Sequence, residues 1–122
     1  MSKKILVVED TEDNRQILRD LLGMSGYTMV EAHNGAEGVA MAAEHKPDLI
    51  LMDIQMPVMD GYEATRRIKA DPALKSIPVV AVTSYALSGD EAKARTAGCD
   101  DYIAKPYSPR QMLAKVRGIL GA

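Results

Sequence analysis

Short apolar runs recur along this chain, and most of them stop at a polar group. Ile5-Leu6-Val7-Val8 leads into Glu9-Asp10, Leu49-Ile50-Leu51-Met52 into Asp53, and Val79-Val80-Ala81-Val82 into Thr83. Tyr102-Ile103-Ala104 leads into Lys105-Pro106, whereas the run at Met29-Val30 has no such ending. A continuously apolar strand is one covered on both faces, which is the condition of a parallel sheet with helices on either side. Polar groups at the ends of such strands gather along the carboxyl edge, where open α/β sheets place their sites.

The segments between the runs carry helical patterns. Thr11 to Met24 bears Ile17, Leu18, Leu21 and Leu22 on one stripe, with Gly26 as its stop. A weaker strand spans Thr28 to Ala32, Asn34-Gly35 turns the chain, and Ala36 to Glu44 reads as a second helix. Asp60 is the expected N-cap of a helix from Gly61 to Ala70, and Asp71-Pro72 breaks the chain before the fourth strand. Ser88 and Glu91 fit a capping box for a helix that Gly98 closes, and Ser108, Pro109 and Gln111 open the last helix. The alternation predicts an α/β fold with right-handed crossovers and five helices on the two faces of one sheet. The first, third and fourth runs are the most apolar and should be central, while the second and fifth should be edges. A doubly wound, five-stranded, parallel, flavodoxin-like sheet of order 2-1-3-4-5 meets both conditions. Its switch point falls between the first and third strands, beside Glu9, Asp10 and Asp53.

At 122 residues the chain is expected to form one domain, 1–122, with no repeat or linker. A net charge of −2 without a basic stripe argues against a nucleic-acid partner. The lone Cys99 rules out an internal disulfide and reads as a buried structural thiol. The apolar stretch after Met1-Ser2-Lys3-Lys4 is too short for a signal peptide, and no run approaches membrane-spanning length. The expected location is cytoplasmic, with no membrane partner. His33 and His45 read as solvent-facing, and the methionines as core filler.

Taken singly, each polar strand end is ordinary: an acid pair in solvent, a loop cap, a surface lysine. Taken together on one edge they describe a site. Three carboxylates in one crevice repel strongly, and a divalent cation with oxygen ligands relieves that repulsion. Magnesium fits, with manganese as the alternative. Asp10 and Asp53 are the expected direct ligands, Glu9 acts through water, and the backbone carbonyl of Gln55 completes the protein's share. Asp53 can then attack a phosphoryl donor in line and become an aspartyl-phosphate. Lys105 supplies a charge and Thr83 a hydroxyl to the phosphoryl oxygens. No histidine is placed to activate water, so the acyl phosphate should persist as a signal.

Glu9-Asp10, Asp53, Thr83 and Lys105-Pro106, with the stretch MDIQMPVMDG, closely resemble the receiver domain of two-component response regulators over the whole chain. The resemblance implies phosphorylation of Asp53 by a sensor histidine kinase or a histidine phosphotransfer protein. It implies a cis peptide before Pro106 that aims Lys105, and a switch in which Thr83 turns to the phosphoryl group while Tyr102 rotates inward. Gln55 and Tyr85 occupy positions that tune such domains, with Tyr85 expected to shield the phosphorus and slow hydrolysis. The helix from Ser88 to Ala97 holds no apolar side chain larger than alanine, so weak docking is expected of it. The face made by that helix, the fifth strand and the last helix is the expected output surface, and dimerisation there is the alternative to a monomer.

Such a domain catalyses only its own phosphorylation and dephosphorylation. A phosphohydrolase of the haloacid-dehalogenase type would want an aspartate where Gln55 stands. A flavin-binding flavodoxin would want Ser, Thr and Gly where this chain has Glu-Asp-Thr-Glu-Asp. The ends of the chain suggest a stand-alone regulator rather than an excised hybrid-kinase receiver, and VVAVTSYALSGDEAK and GCDDYIAKP resemble the cell-cycle and hybrid-kinase branches. Partner choice is expected to rest on exposed residues early in the first helix, such as Asn14 and Arg15, and on the loop after Pro106. The sequence names no downstream partner.

Overall fold

The computed structural model describes residues 3–54, 59–83, 90–105 and 107–121. Its strands are β1 (Lys4–Val8), β2 (Thr28–Ala32), β3 (Leu49–Asp53), β4 (Val79–Thr83) and β5 (Asp101–Ala104). All pair in parallel in the order β2-β1-β3-β4-β5, as the apolar content of the runs predicts. Every residue of β3 and β4 is buried, whereas most of β2 is half-covered and Thr28 is exposed.

The helices are α1 (Glu12–Met24), α2 (Gly35–His45), α3 (Gly61–Ala70), α4 (Asp90–Ala97) and α5 (Pro109–Leu120). Because successive strand residues point to opposite faces, each central strand feeds two cores. Ile5, Val7, Leu49, Leu51, Val80 and Val82 meet Leu18 and Leu22 of α1 and Met112 and Val116 of α5. Leu6, Val8, Ile50, Met52 and Ala81 meet Ala42 of α2, Ala64 and Ile68 of α3 and Ala94 of α4. Asp60 caps α3 by accepting from the Glu63 N–H at 2.9 Å, and Ser108 and Gln111 form the capping box of α5. The capping box expected of Ser88 falls outside the described residues.

Two local readings change. Asn34-Gly35 is a helix start rather than a free turn: the Asn34 side chain accepts from the Glu37 N–H at 2.8 Å, and Gly35 opens α2. On α1 the buried stripe is Arg15, Leu18 and Leu22, while Ile17 is 56% exposed. Residues 15, 18 and 22 recur at helical spacing and face the sheet; Ile17 is rotated off that line by one residue's turn. Among the methionines, Met52 and Met112 fill the core, but Met24 stands out in solvent. Cys99 is buried, as expected, and burial pushes its thiol above its ordinary pKa.

Candidate metal and phosphoryl site

The site forms where β1, β3, β4 and β5 end. Asp53 is the last residue of β3 and is buried, and the chain beyond it is held on two sides. The Ile54 N–H donates to the Val82 carbonyl at 3.2 Å, and the Gly61 N–H donates to the Ile54 carbonyl at 3.1 Å. A Cβ at residue 61 would collide with the Asp53 carbonyl and the Ile54 backbone, so only glycine lets α3 begin this close to the carboxylate. Thr83 ends β4 and is buried, and its carbonyl accepts from the Lys105 N–H at 2.7 Å. That bond extends the β4–β5 ladder by one residue and brings Lys105 to the edge.

Carboxylate oxygens of Glu9, Asp10 and Asp53 lie within 4.8 Å of one another. Lys105 Nζ sits 3.5 Å from Glu9 Oε2 and 3.5 Å from Asp53 Oδ2. At an effective dielectric of about 20, two like charges about 4 Å apart repel by about 4 kcal/mol. One ammonium among three carboxylates relieves only part of that, and a divalent cation would balance the remainder. The oxygen-only donor set, half open to solvent at Asp10, suits a cation that keeps several waters.

Glu9 is anchored through one of its carboxylate oxygens. Its Oε1 accepts from the Thr11 N–H at 3.2 Å and from the Asn14 amide at 3.1 Å, leaving Oε2 toward Lys105. Burial works to raise the Glu9 carboxyl, but hydrogen bonding with Asp53, Asn14 and Thr11 and the Lys105 charge outweigh it and hold it below its ordinary range. Tyr107 lies on the other flank. Burial, then the negative charges of Glu9 and Asp53, push its phenol upward, so it stays protonated. Between α1 and Tyr107 a cavity of about 620 Å³ opens onto Asp53, lined by Val7, Ile17, Leu51 and Val82.

The structure thus brings Glu9, Asp10, Asp53 and Lys105 together, with Thr83 at the adjacent strand end. Gln55, Met56, Tyr85 and Pro106 lie outside the described residues. Tyr102 is half-buried on β5 against the core beneath α3 and α4. Asn14 and Arg15 are not the exposed contact residues expected: Asn14 is half-buried on Glu9, and Arg15 is buried. Arg15 stands at the helical spacing of Leu18 and Leu22, a signal that its charge obscured. Tyr107 carried no sequence signal beyond its nearness to Lys105. His33 is exposed and pairs with Glu37 at 2.6 Å.

Residues 5–117 match the model of the response regulator receiver domain family. The polar-differentiation response regulator DivK of Brucella anthropi is 46% identical over 121 residues, covering 99% of this chain and 98% of the relative. Among solved structures, the receiver domain of a sensor histidine kinase from Pseudomonas aeruginosa superposes with a TM-score of 0.93 at 34% identity over all of both chains; that structure holds a magnesium ion in its active-site cleft. The chemotaxis protein CheY4 of Vibrio cholerae has a TM-score of 0.92 at 26% identity, covering 98% of this chain and 99% of that one.

Proposed function

The chain belongs to the response regulator receiver family of two-component signalling, and on that premise we propose that it is phosphorylated on Asp53 in a magnesium-dependent reaction. The Lys105 ammonium, 3.5 Å from both Glu9 and Asp53 and with Asp10 alongside, is the observation that carries this reading. Glu9, Asp10 and Asp53, with the backbone carbonyl of Gln55, would hold the magnesium or manganese ion. When bound, the cation neutralises the carboxylates and withdraws charge from the phosphoryl oxygens.

The chain's own residues do the rest. An Asp53 carboxylate oxygen attacks the phosphorus of a phosphohistidine in line; the new O–P bond forms as the P–N bond breaks, and the imidazole leaves with the electron pair. Lys105 exchanges its contact with the Asp53 carboxylate for a phosphoryl oxygen, and the Thr83 hydroxyl donates to another. The donor is a sensor histidine kinase or a histidine phosphotransfer protein, and the reaction belongs to the cytoplasm, where this family generally acts. The chain works as one unit that catalyses only its own phosphorylation and dephosphorylation, as a monomer or weak dimer. Its message passes through Thr83, Tyr102 and the face of α4, β5 and α5 to a downstream protein. Tyr85 slows hydrolysis. No helix among the described residues is long and apolar enough to cross a membrane.

Incubation with acetyl phosphate and magnesium, read by intact mass, tests this. One added phosphoryl group is expected, lost on chelation and in Asp53→Asn. An adduct that survives Asp53→Asn, or none from either acetyl phosphate or a phosphohistidine donor, would overturn it.

A further inference from the structure

We infer that Arg15 is a positioning residue for the metal-binding turn, fixing Glu9 and Asp10 through the backbone rather than serving as a surface contact. The inference rests on the magnesium reading above and extends it to a residue that would not itself touch the cation. Arg15 is 5% exposed, yet its guanidinium is not aimed chiefly at a core partner. Its Nη1 donates to the Glu9 carbonyl at 2.7 Å, while Nη2 donates to Glu12 at 2.6 Å and Nε lies 3.4 Å from Glu31 on β2.

The reason lies in where the sheet stops. β2 ends at Ala32, whose carbonyl accepts the Glu9 N–H at 3.0 Å, the last rung beside this turn. The Glu9 carbonyl lies one step beyond, and a buried carbonyl needs a donor. Arg15 supplies it. With the Thr11 N–H and the Asn14 amide on Glu9 Oε1, three donors from the start of α1 converge on one residue. The N–H, the carbonyl and one carboxylate oxygen of Glu9 are therefore fixed, and Oε2 is left facing Lys105 and the cation position. Asp10, joined to Glu9 through that same carbonyl, inherits its direction. Supporting groups of this kind govern metal affinity by orienting the ligands.

Arg19 provides the control. It pairs with the same Glu12 and Glu31, at 3.2 and 2.6 Å, but among the described residues it has no hydrogen bond or ion pair with Glu9. Magnesium alone is titrated calorimetrically into the full chain, and thermal melts in chelator record the fold separately. Arg15→Met is expected to weaken magnesium binding by about 10-fold or more, with Arg19→Ala matching the parent. Parent-like affinity in Arg15→Met overturns the inference, as does equal weakening in Arg19→Ala. If Arg15→Met does not fold, Arg15→Lys decides: a single ammonium cannot reproduce the forked contacts, so weakened binding is expected and parent-like binding overturns the assignment. A parent protein that binds no magnesium overturns the metal reading itself, a separate and recognisable failure.

Discussion

α1 and α4 flank the same carboxyl edge from opposite faces of the sheet, and they are held by different means. α1 runs for 13 residues, buries Leu18 and Leu22, and is tied to β2 through Arg15, Arg19, Glu12 and Glu31. α4 runs for 8 residues, and among its described side chains the buried ones are Ala94 and Ala97. Burying a leucine is worth about 1.5–3 kcal/mol, whereas an alanine methyl adds about 0.8. The first helix is therefore a fixed wall behind the Glu9-Asp10 turn. On the proposed function, the fourth is the element that a few kcal/mol from a new phosphoryl group would shift.

The contrast can be broken by mutation. Leu22, fully buried, should give the largest effect: Leu22→Ala is expected to cost about 2–5 kcal/mol in denaturant unfolding. Ala94→Gly should cost only about 1–2 kcal/mol, from helix propensity and one lost methyl. Equal losses would mean that α4 is held as firmly as α1. The smallest effect is electrostatic. Hydrogen bonding from Arg19 outweighs burial and holds the Glu31 carboxyl below its ordinary value. A depressed carboxyl contributes stability that is complete above the usual glutamate pKa of about 4.3 and fades as pH falls through the folded-state value. Arg19→Ala should therefore lower the melting temperature slightly near neutrality and converge with the parent as pH falls well below about 4.3, which flattens the acid limb. An unaltered acid limb would remove Glu31 from the ties that hold α1.

The sheet was legible because its information is local. Each central strand announces burial on both faces by an unbroken apolar run, and Asp60 and Ser108 mark their helix starts by residues in the next turn. The gathering of Glu9, Asp10, Asp53 and Lys105 follows from strand order, because residues at the ends of neighbouring parallel strands share one edge. What escaped was set by distant partners. Arg15 is buried because a carbonyl just past β1 and a carboxylate on β2 await it, and neither is visible from α1 alone. Ile17 is exposed because it is rotated off the line of Arg15, Leu18 and Leu22 that faces the sheet, and its neighbours alone do not fix which line is buried. Asn14 and Tyr107 reach the site from loop-proximal positions whose direction no periodicity records.

The most direct test is amide hydrogen exchange along α1 and α4, measured in chelator and again with magnesium and a phosphoryl donor. The account predicts that α4 exchanges faster than α1 before phosphorylation, that the change on phosphorylation concentrates in α4 and β5, and that α1 from Leu18 to Leu22 stays as protected as before. Comparable protection of the two helices at the outset, or a change on phosphorylation centred on α1, would contradict it.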